Sequence, residues 1–232
     1  MSAPDDTAPA ARKPTAAIEA VLFDVDGTLV DSNYLHVDAW ARAFEQVGEP
    51  VDTWRIHRAI GLDSQKLLET LLGDRAEAVG DDASELHSSN YKKLWPRLRR
   101  FDGAQAIIRR AHESGLRVVL ATSAPEEELD ELRRVLDIDN LLFAVTNADD
   151  VETAKPEPDI IAVALEKAKT DAASALMVGD ATWDAVAAGK AGVATVGLRS
   201  GGTGEAELRD AGAFAVYDDV TAMLEGFPFD RR

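Results

Sequence analysis

The sequence has no cysteine among its 232 residues, which excludes disulfide bonds, iron–sulfur clusters, thiolate metal sites and a cysteine nucleophile. Positive charge is scarce, because 25 Lys and Arg stand against 42 Asp and Glu and leave a formal net charge of −17. Nucleic-acid binding needs concentrated Lys and Arg, so this balance argues against a nucleic-acid partner. No apolar run approaches the about 20 residues of a membrane-spanning helix, so no membrane partner is expected either.

What is present is a composition typical of a globular protein, with 46% hydrophobic and 29% charged residues. The length fits one large domain or a domain with a smaller insert. We expect a cytoplasmic monomer whose partner is a small molecule. Because salt screens charges beyond about 10 Å, an acidic chain can still bind a small anionic ligand, provided that the site builds its positive charge locally.

Short apolar runs alternate with amphipathic runs over most of the chain. This alternation predicts an α/β fold, a Rossmann-like parallel sheet whose strands are joined by right-handed helical crossovers. Such sheets bind ligands at the carboxyl ends of their strands. The expected strands are residues 18–23, 116–121, 142–145, 175–178, 193–198 and 214–216. The expected helices of the same layer are residues 104–114, 126–136, 159–169, 183–191 and 205–211.

One segment interrupts the alternation. Residues 33–96 contain helical patterns over 33–47, 53–60, 64–72 and 83–95 but no convincing strand. An all-helical block between the first and second strands predicts an inserted cap domain. We therefore divide the chain into a disordered leader (1–16), a core formed by residues 17–32 and 97–232, and a helical cap (33–96).

The residues with the most distinctive chemistry stand directly after the expected strands. Asp24 and Asp26 follow the first strand and point the same way, because side chains two apart on a strand share a face. Carboxylates are hard oxygen ligands that suit Mg²⁺, whereas an ammonium and hydroxyls suit a phosphoryl group. One crevice at the sheet edge could collect the whole set, which is Asp24, Asp26, Thr122, Ser123, Lys155, Asp180 and Asp184.

In this order the residues resemble the four motifs of the haloacid dehalogenase superfamily. Residues 24–29 (DVDGTL) are similar to the first motif, Thr122 to the second, Lys155 with the following proline to the third, and Asp180 with Asp184 to the fourth. The resemblance covers nearly all of the chain after residue 17. The helical insertion resembles the subclass of this superfamily that has an α-helical cap.

The resemblance implies a phosphatase that works through a covalent intermediate. Asp24 would be the nucleophile that forms an aspartyl-phosphate, and Asp26 would be the general acid and base. Mg²⁺ would be held by Asp24, by the backbone carbonyl of Asp26 and by Asp180. The resemblance further implies that phosphate oxygens are bound at Thr122, Ser123 and Lys155. Asp184 would orient the lysine or hold the metal's waters.

Several activities occur in this superfamily, and the motifs discriminate among them. The dehalogenases need neither Mg²⁺ nor a second aspartate, so Asp26 argues for phosphate chemistry. Sugar phosphomutases of the β-phosphoglucomutase type are closer, because residues 33–40 resemble their first cap helix, including His36. However, the cap segment around Gly61 lacks the basic residues of the mutases, and the fourth motif has the common phosphatase form.

We therefore favour hydrolysis of a small phosphorylated metabolite, as in the phosphoglycolate phosphatases. The alternatives are a sugar phosphomutase and a non-catalytic phosphate-binding regulator, although no motif position carries an inert residue. Closing the cap would exclude water from the site, so cap residues should select the substrate. The cap candidates for substrate contact are His36, Arg58 and Gly61. For His36, packing within the cap explains the residue as well as substrate contact does. For Arg58, a solvated position on the helix surface is a better explanation than substrate contact.

Overall fold

The computed structural model describes residues 11–150 and 155–229. Six parallel strands form one sheet in the order β3-β2-β1-β4-β5-β6. The predicted α/β class with a parallel sheet is confirmed. The strands are β1 (Ala20–Phe23), β2 (Arg117–Leu120), β3 (Ala144–Val145), β4 (Ala175–Gly179), β5 (Ala194–Leu198) and β6 (Ala213–Tyr217).

Strand β1 lies at the centre of the sheet and positions the site. All four of its residues are buried, as expected for a parallel strand that is covered on both faces. Val21 and Phe23 pack into the apolar cluster on one face, and Leu22 packs into the cluster on the other. Phe23 pairs with Leu120 of β2 and Val178 of β4, so the residues that follow these three strands emerge side by side.

Four of the five α-helices between β1 and β2 pack on one another. They bury an apolar cluster of their own, whose members all lie between residues 37 and 86. We call this helical unit the cap. Its helices are α1 (Asn33–Gln46), α2 (Thr53–Ala59), α3 (Ser64–Leu72) and α4 (Ala76–Lys92).

Helix α4 begins seven residues earlier than the expected start at residue 83. Glycine is a weak helix former, so the glycine at position 80 weakens the helical pattern of the sequence before residue 83. In the structure Gly80 is buried, and a Cβ there would lie 3.3 Å from Leu68 Cδ1. Close packing against α3 therefore favours a small residue at this helical position.

Helices cover the sheet outside the cap. One of them, α10, was not expected, because its sequence is short and weakly periodic. The Asp219 side chain caps it by accepting a hydrogen bond from the Ala222 amide, and Val220 and Met223 are buried. These helices are α5 (Ala104–Glu113), α6 (Glu126–Leu136), α7 (Asp159–Ala168), α8 (Thr182–Lys190), α9 (Glu205–Asp210) and α10 (Val220–Gly226).

Two further predictions concern the termini and membranes. Residues 1–10 of the expected leader lie outside the described residues, and residues 11–16 form neither helix nor strand. Within residues 11–150 and 155–229, every helix is too short or too polar to cross a bilayer.

Candidate active site

The carboxyl ends of the central strands and the cap enclose a cavity of about 590 Å³. This volume suits a small-molecule ligand. Cap residues and core residues both line the cavity, so the relative position of the two units determines its shape. The core residues expected at the site all lie in its wall: Asp24, Asp26, Thr122, Ser123, Lys155, Asp180 and Asp184.

Lys155 brings positive charge into the cavity. Its Nζ lies 2.5 Å from Asp24 Oδ1 and 2.6 Å from Asp184 Oδ1, and its side chain is only 4% exposed. Burial lowers the pKa of Lys155, but the two carboxylates outweigh burial and hold the pKa above its ordinary value. The lysine is therefore charged and fixed between two acidic side chains.

Three buried carboxylates lie close together, and two of them contact this lysine. Oxygen atoms of Asp24, Asp180 and Asp184 all lie within 4.8 Å of one another. Burial raises the pKa of Asp24 to about 7, against the opposing effect of Lys155. Burial, together with Asp24 and Asp184, raises the pKa of Asp180 well above its ordinary value. One lysine does not balance three carboxylates, so this all-oxygen cluster fits a hard divalent cation.

The Asp180 carboxylate is held by two donors from the segment that follows β1. Thr28 Oγ1 donates to Asp180 Oδ1 at 2.8 Å, and Asn33 Nδ2 donates to Asp180 Oδ2 at 2.9 Å. Gly27 makes this approach possible, since its φ is +73° and a Cβ would lie 2.5 Å from Asp180 Oδ2. Thr28 of the first motif and Asn33 of α1 therefore position Asp180 of the fourth motif.

Asp26 has different surroundings, because it faces the cap. Ser32 Oγ donates to Asp26 Oδ1 at 2.5 Å, and His36 Nε2 of α1 lies 3.5 Å from the same oxygen. Burial raises the pKa of Asp26, but His36 and Ser32 outweigh burial and hold it below its ordinary value. The two aspartates of the first motif thus differ in environment, which is how one site assigns different roles to two carboxylates.

Thr122 lies beside the carboxylate cluster, at the end of β2. It is 3% exposed, and its hydroxyl accepts a hydrogen bond from the Ala124 amide at 3.1 Å. Ser123 lines the same side of the cavity. The site therefore contains oxygen ligands for a cation, an ammonium and hydroxyls in one cavity.

A model of the haloacid dehalogenase-like hydrolases matches residues 21–198. The chain belongs to this family. The resemblance to the haloacid dehalogenase superfamily that the motifs indicated is confirmed. A phosphoglycolate phosphatase from Pseudomonas fluorescens is 27% identical over 217 residues, which cover 89% of this chain and 78% of that protein. A phosphorylated carbohydrates phosphatase from Thermotoga maritima is 28% identical over 204 residues, which cover 86% and 94% of the two chains.

Solved structures agree with the family assignment. A hydrolase from Pseudomonas syringae superimposes on this hydrolase with a TM-score of 0.84 and 33% identity, covering 89% of this chain and 96% of that one. Together with the family model and the phosphatase relatives, this similarity identifies the chain as a phosphoric monoester hydrolase.

Sequence reasoning missed several polar residues of this hydrolase's site. Thr28 and Asn33 are small polar residues in a loop and at a helix start, where capping is the usual explanation. Glu128 lines the cavity, but in the sequence it belongs to an acidic first turn of α6 that suits any helix dipole. The missed residues are Thr28, Ser32, Asn33 and Glu128.

The cap candidates lie in different places. His36 and Gly61 line the cavity. The Arg58 side chain is 56% exposed and forms an ion pair with Glu207 of α9, outside the cavity wall. Arg58 therefore links the cap to the core, whereas His36 and Gly61 face the ligand space.

Gly61 offers a test of how closely the cap must approach the core. Its φ is +94°, and a Cβ would lie 3.0 Å from Ala181 Cβ and 3.2 Å from Trp183 Cδ1 in the core. We expect Gly61→Val to lower stability by about 1–3 kcal/mol through backbone strain. We also expect it to lower kcat/KM for p-nitrophenyl phosphate about tenfold, because the cap cannot close fully.

The matched control is Gly73→Val, also in the cap. Gly73 has a φ of +55°, but a Cβ there meets nothing within 4 Å. This control should lose stability and keep its kcat/KM. Wild-type kcat/KM in Gly61→Val would contradict the proposed closure.

Proposed function

We propose that this hydrolase is a Mg²⁺-dependent phosphomonoesterase that acts on a small phosphorylated metabolite through an aspartyl-phosphate at Asp24. The observation that carries the proposal is the contact of 2.5 Å between Lys155 Nζ and Asp24 Oδ1. It places a carboxylate nucleophile and a fixed positive charge in one cavity. A phosphatase needs both, because an anionic nucleophile must approach an anionic phosphate.

Asp24 and Asp26 would divide the chemistry between them. In the first step an Asp24 oxygen forms a bond to phosphorus while the ester P–O bond breaks, and Asp26 donates a proton to the departing oxygen. In the second step Asp26 takes a proton from water, whose oxygen attacks phosphorus and displaces Asp24. Ser32 and His36 hold Asp26 in its ionised form, so it can accept a proton in the second step, whereas the first step requires that Asp26 gain a proton when the ester binds.

The remaining residues would bind and orient the phosphoryl group. Lys155, Thr122 and Ser123 would contact its non-bridging oxygens, and Asp184 would hold Lys155 through their contact of 2.6 Å. Asp24, Asp180 and the backbone carbonyl of Asp26 would hold Mg²⁺. When bound, this ion would supply positive charge that offsets the charge of the nucleophile and the phosphate.

Metal-dependent turnover of p-nitrophenyl phosphate tests the proposal. We expect hydrolysis with Mg²⁺, none after chelation, and recovery when Mg²⁺ is restored. Turnover that persists in chelator would contradict the metal requirement. Normal Mg²⁺ binding without hydrolysis of any ester in a panel would instead support a phosphate-binding regulator.

Thr28→Val tests whether the first motif positions the metal ligand Asp180. The substitution keeps the side-chain shape but removes the donor to Asp180 Oδ1. We expect the Mg²⁺ concentration for half-maximal activity to rise about 10- to 100-fold, as is typical when a partner of a metal ligand is lost. The control is Thr195→Val, at a buried position of β5 away from the cavity wall. This variant should need the same Mg²⁺ concentration for half-maximal activity as the wild type. An unchanged Mg²⁺ requirement in Thr28→Val would contradict the positioning role.

The contact between His36 and Asp26 favours a second candidate, the sugar phosphomutase. A histidine of the cap can hold the acid–base aspartate out of place until a sugar closes the cap. Incubation with β-glucose 1-phosphate and glucose 1,6-bisphosphate separates the two functions. Release of inorganic phosphate supports the phosphatase, whereas accumulation of glucose 6-phosphate supports the mutase.

A further inference from the structure

Glu128 of α6 is an acidic side chain in the cavity wall that the proposed chemistry does not use. Its side chain is 15% exposed, and its Oε1 lies 3.6 Å from His36 Nε2. Oxygen atoms of Glu128 and Asp26, with the His36 nitrogen, all lie within 4.8 Å of one another. Under the proposed function Asp26 protonates the departing oxygen, so Glu128 stands beside the leaving alcohol.

The positive groups near Glu128 are already matched by acidic ones. His36 Nε2 lies between two carboxylates, 3.5 Å from Asp26 and 3.6 Å from Glu128. A protonated His36 therefore adds no net positive charge to this part of the cavity. Lys66 lines the cap side of the cavity, and so do Asp63 and Glu69.

No arginine stands among the described residues that line the cavity. The charged and titratable lining residues outside the phosphate and metal cluster are Asp26, His36, Asp63, Lys66, Glu69, His87 and Glu128. The region around the leaving alcohol is therefore not electropositive, in contrast to the phosphate end with Lys155 and the proposed cation.

We infer that Glu128 is a specificity-determining residue that makes the site reject phosphate esters with an anionic leaving group and accept those of uncharged, hydroxyl-bearing alcohols. This inference rests on the proposed function, and it departs from the expected likeness to the phosphoglycolate phosphatases, because the leaving group of phosphoglycolate is anionic. Because Asp26 carries the proton that it donates, Glu128 is the carboxylate that would repel a carboxylate on the leaving group, and such repulsion is strong in a partly desolvated cavity. A neutral alcohol avoids this repulsion, and its hydroxyl can donate to the Glu128 carboxylate. Ser64, Gln65 and Ser88 offer further uncharged polar partners in the wall.

A matched pair of substrates tests the inference. Phosphoglycolate and 2-hydroxyethyl phosphate have nearly the same size, but only the first carries a carboxylate on its leaving group. Burial raises the pKa of Glu128 to about 7, against the opposing effect of His36, so the comparison is made at pH 8, where Glu128 is ionised. There we expect kcat/KM for 2-hydroxyethyl phosphate to exceed that for phosphoglycolate by about 10- to 100-fold. Glu128→Gln should reduce this ratio at least about fivefold, and Glu128→Lys should reverse the preference. Glu126→Gln, at an exposed position of the same helical turn, should keep the wild-type ratio.

The possible outcomes separate this inference from the proposed function. If wild-type protein hydrolyses phosphoglycolate as well as 2-hydroxyethyl phosphate or better, the inference is wrong and the phosphatase function stands. If the preference exists but persists in both Glu128 variants, Glu128 is not its source and the inference is overturned. If neither ester nor p-nitrophenyl phosphate is hydrolysed, the proposed function fails and the inference falls with it. Because the wild-type ratio alone can overturn the inference, the test does not depend on how well the variants fold.

Discussion

Asp24→Asn is expected to lower phosphate-ester turnover by at least about 10⁴-fold while the protein stays folded. The amide keeps the shape of the side chain but lacks the nucleophilic oxygen anion. Because the rest of the site remains, substrate should still bind. The measurement is kcat for p-nitrophenyl phosphate at saturating Mg²⁺, compared with Asp81→Asn at an exposed position of the cap, which should retain wild-type turnover. Undiminished turnover in Asp24→Asn would remove Asp24 as the nucleophile.

The same variant should change how stability depends on pH in chelator. Burial raises the pKa of Asp24 from 3.8 to about 7 in the folded protein. A raised carboxyl pKa favours the protonated form, so its contribution to stability is present at low pH and is lost as the pH rises through 7. Asparagine does not ionise. The stability of the variant relative to wild type should therefore increase between pH 5 and pH 8, as measured by urea unfolding. A difference that does not change over this range would contradict the buried, metal-free carboxylate.

Lys155→Met is expected to damage both stability and activity. Without the lysine, the carboxylates of Asp24, Asp180 and Asp184 lose the cation that separates them in the metal-free protein. Removing one partner of a buried ion pair typically costs about 3–5 kcal/mol in unfolding free energy. Turnover should fall about 10²- to 10³-fold, because a fixed charge on the phosphoryl oxygens is lost. Urea unfolding in chelator and steady-state kinetics with Mg²⁺ measure the two effects.

Two companion variants show whether the loss is electrostatic. Adding Asp184→Asn to Lys155→Met removes one uncompensated carboxylate and should recover part of the stability but none of the activity. Lys190→Met removes an exposed lysine that pairs with Glu157, and should cost at most about 1 kcal/mol. If Lys155→Met were no less stable than Lys190→Met in chelator, the buried charge cluster would not exist as described.

The sequence was most informative where strand ends and charged residues coincide. Six apolar runs predicted the six strands, because buried parallel strands need continuous apolar residues. Once the sheet is parallel, its edge gathers Asp24, Lys155 and Asp180 from positions far apart in the chain. Asp24, Lys155 and Asp180 could therefore be predicted without coordinates.

Other parts of the site depend on tertiary contacts that sequence patterns do not contain. The hydrogen bond from Asn33 to Asp180 joins a helix of the cap to a loop of the core. Nothing in the local sequence distinguishes Asn33 from a residue that merely caps the start of its helix. In the sequence Glu128 cannot be distinguished from Glu126 and Glu127, and only the fold places it beside His36. Arg58 shows the opposite case, because this cap candidate, for which solvation was the better explanation, pairs with Glu207 outside the cavity wall.

Trapping the covalent intermediate shows directly which residue is the nucleophile. Asp26→Ala should form the aspartyl-phosphate from p-nitrophenyl phosphate with Mg²⁺ but hydrolyse it slowly, because the base for the second step is missing. Acid quenching, borohydride reduction and peptide mass spectrometry locate the acyl-phosphate. We expect a modification at Asp24 that is removed by hydroxylamine and is absent from Asp24→Asn. Modification of a different residue, or full turnover by wild type with no acyl-phosphate in either protein, would contradict this expectation.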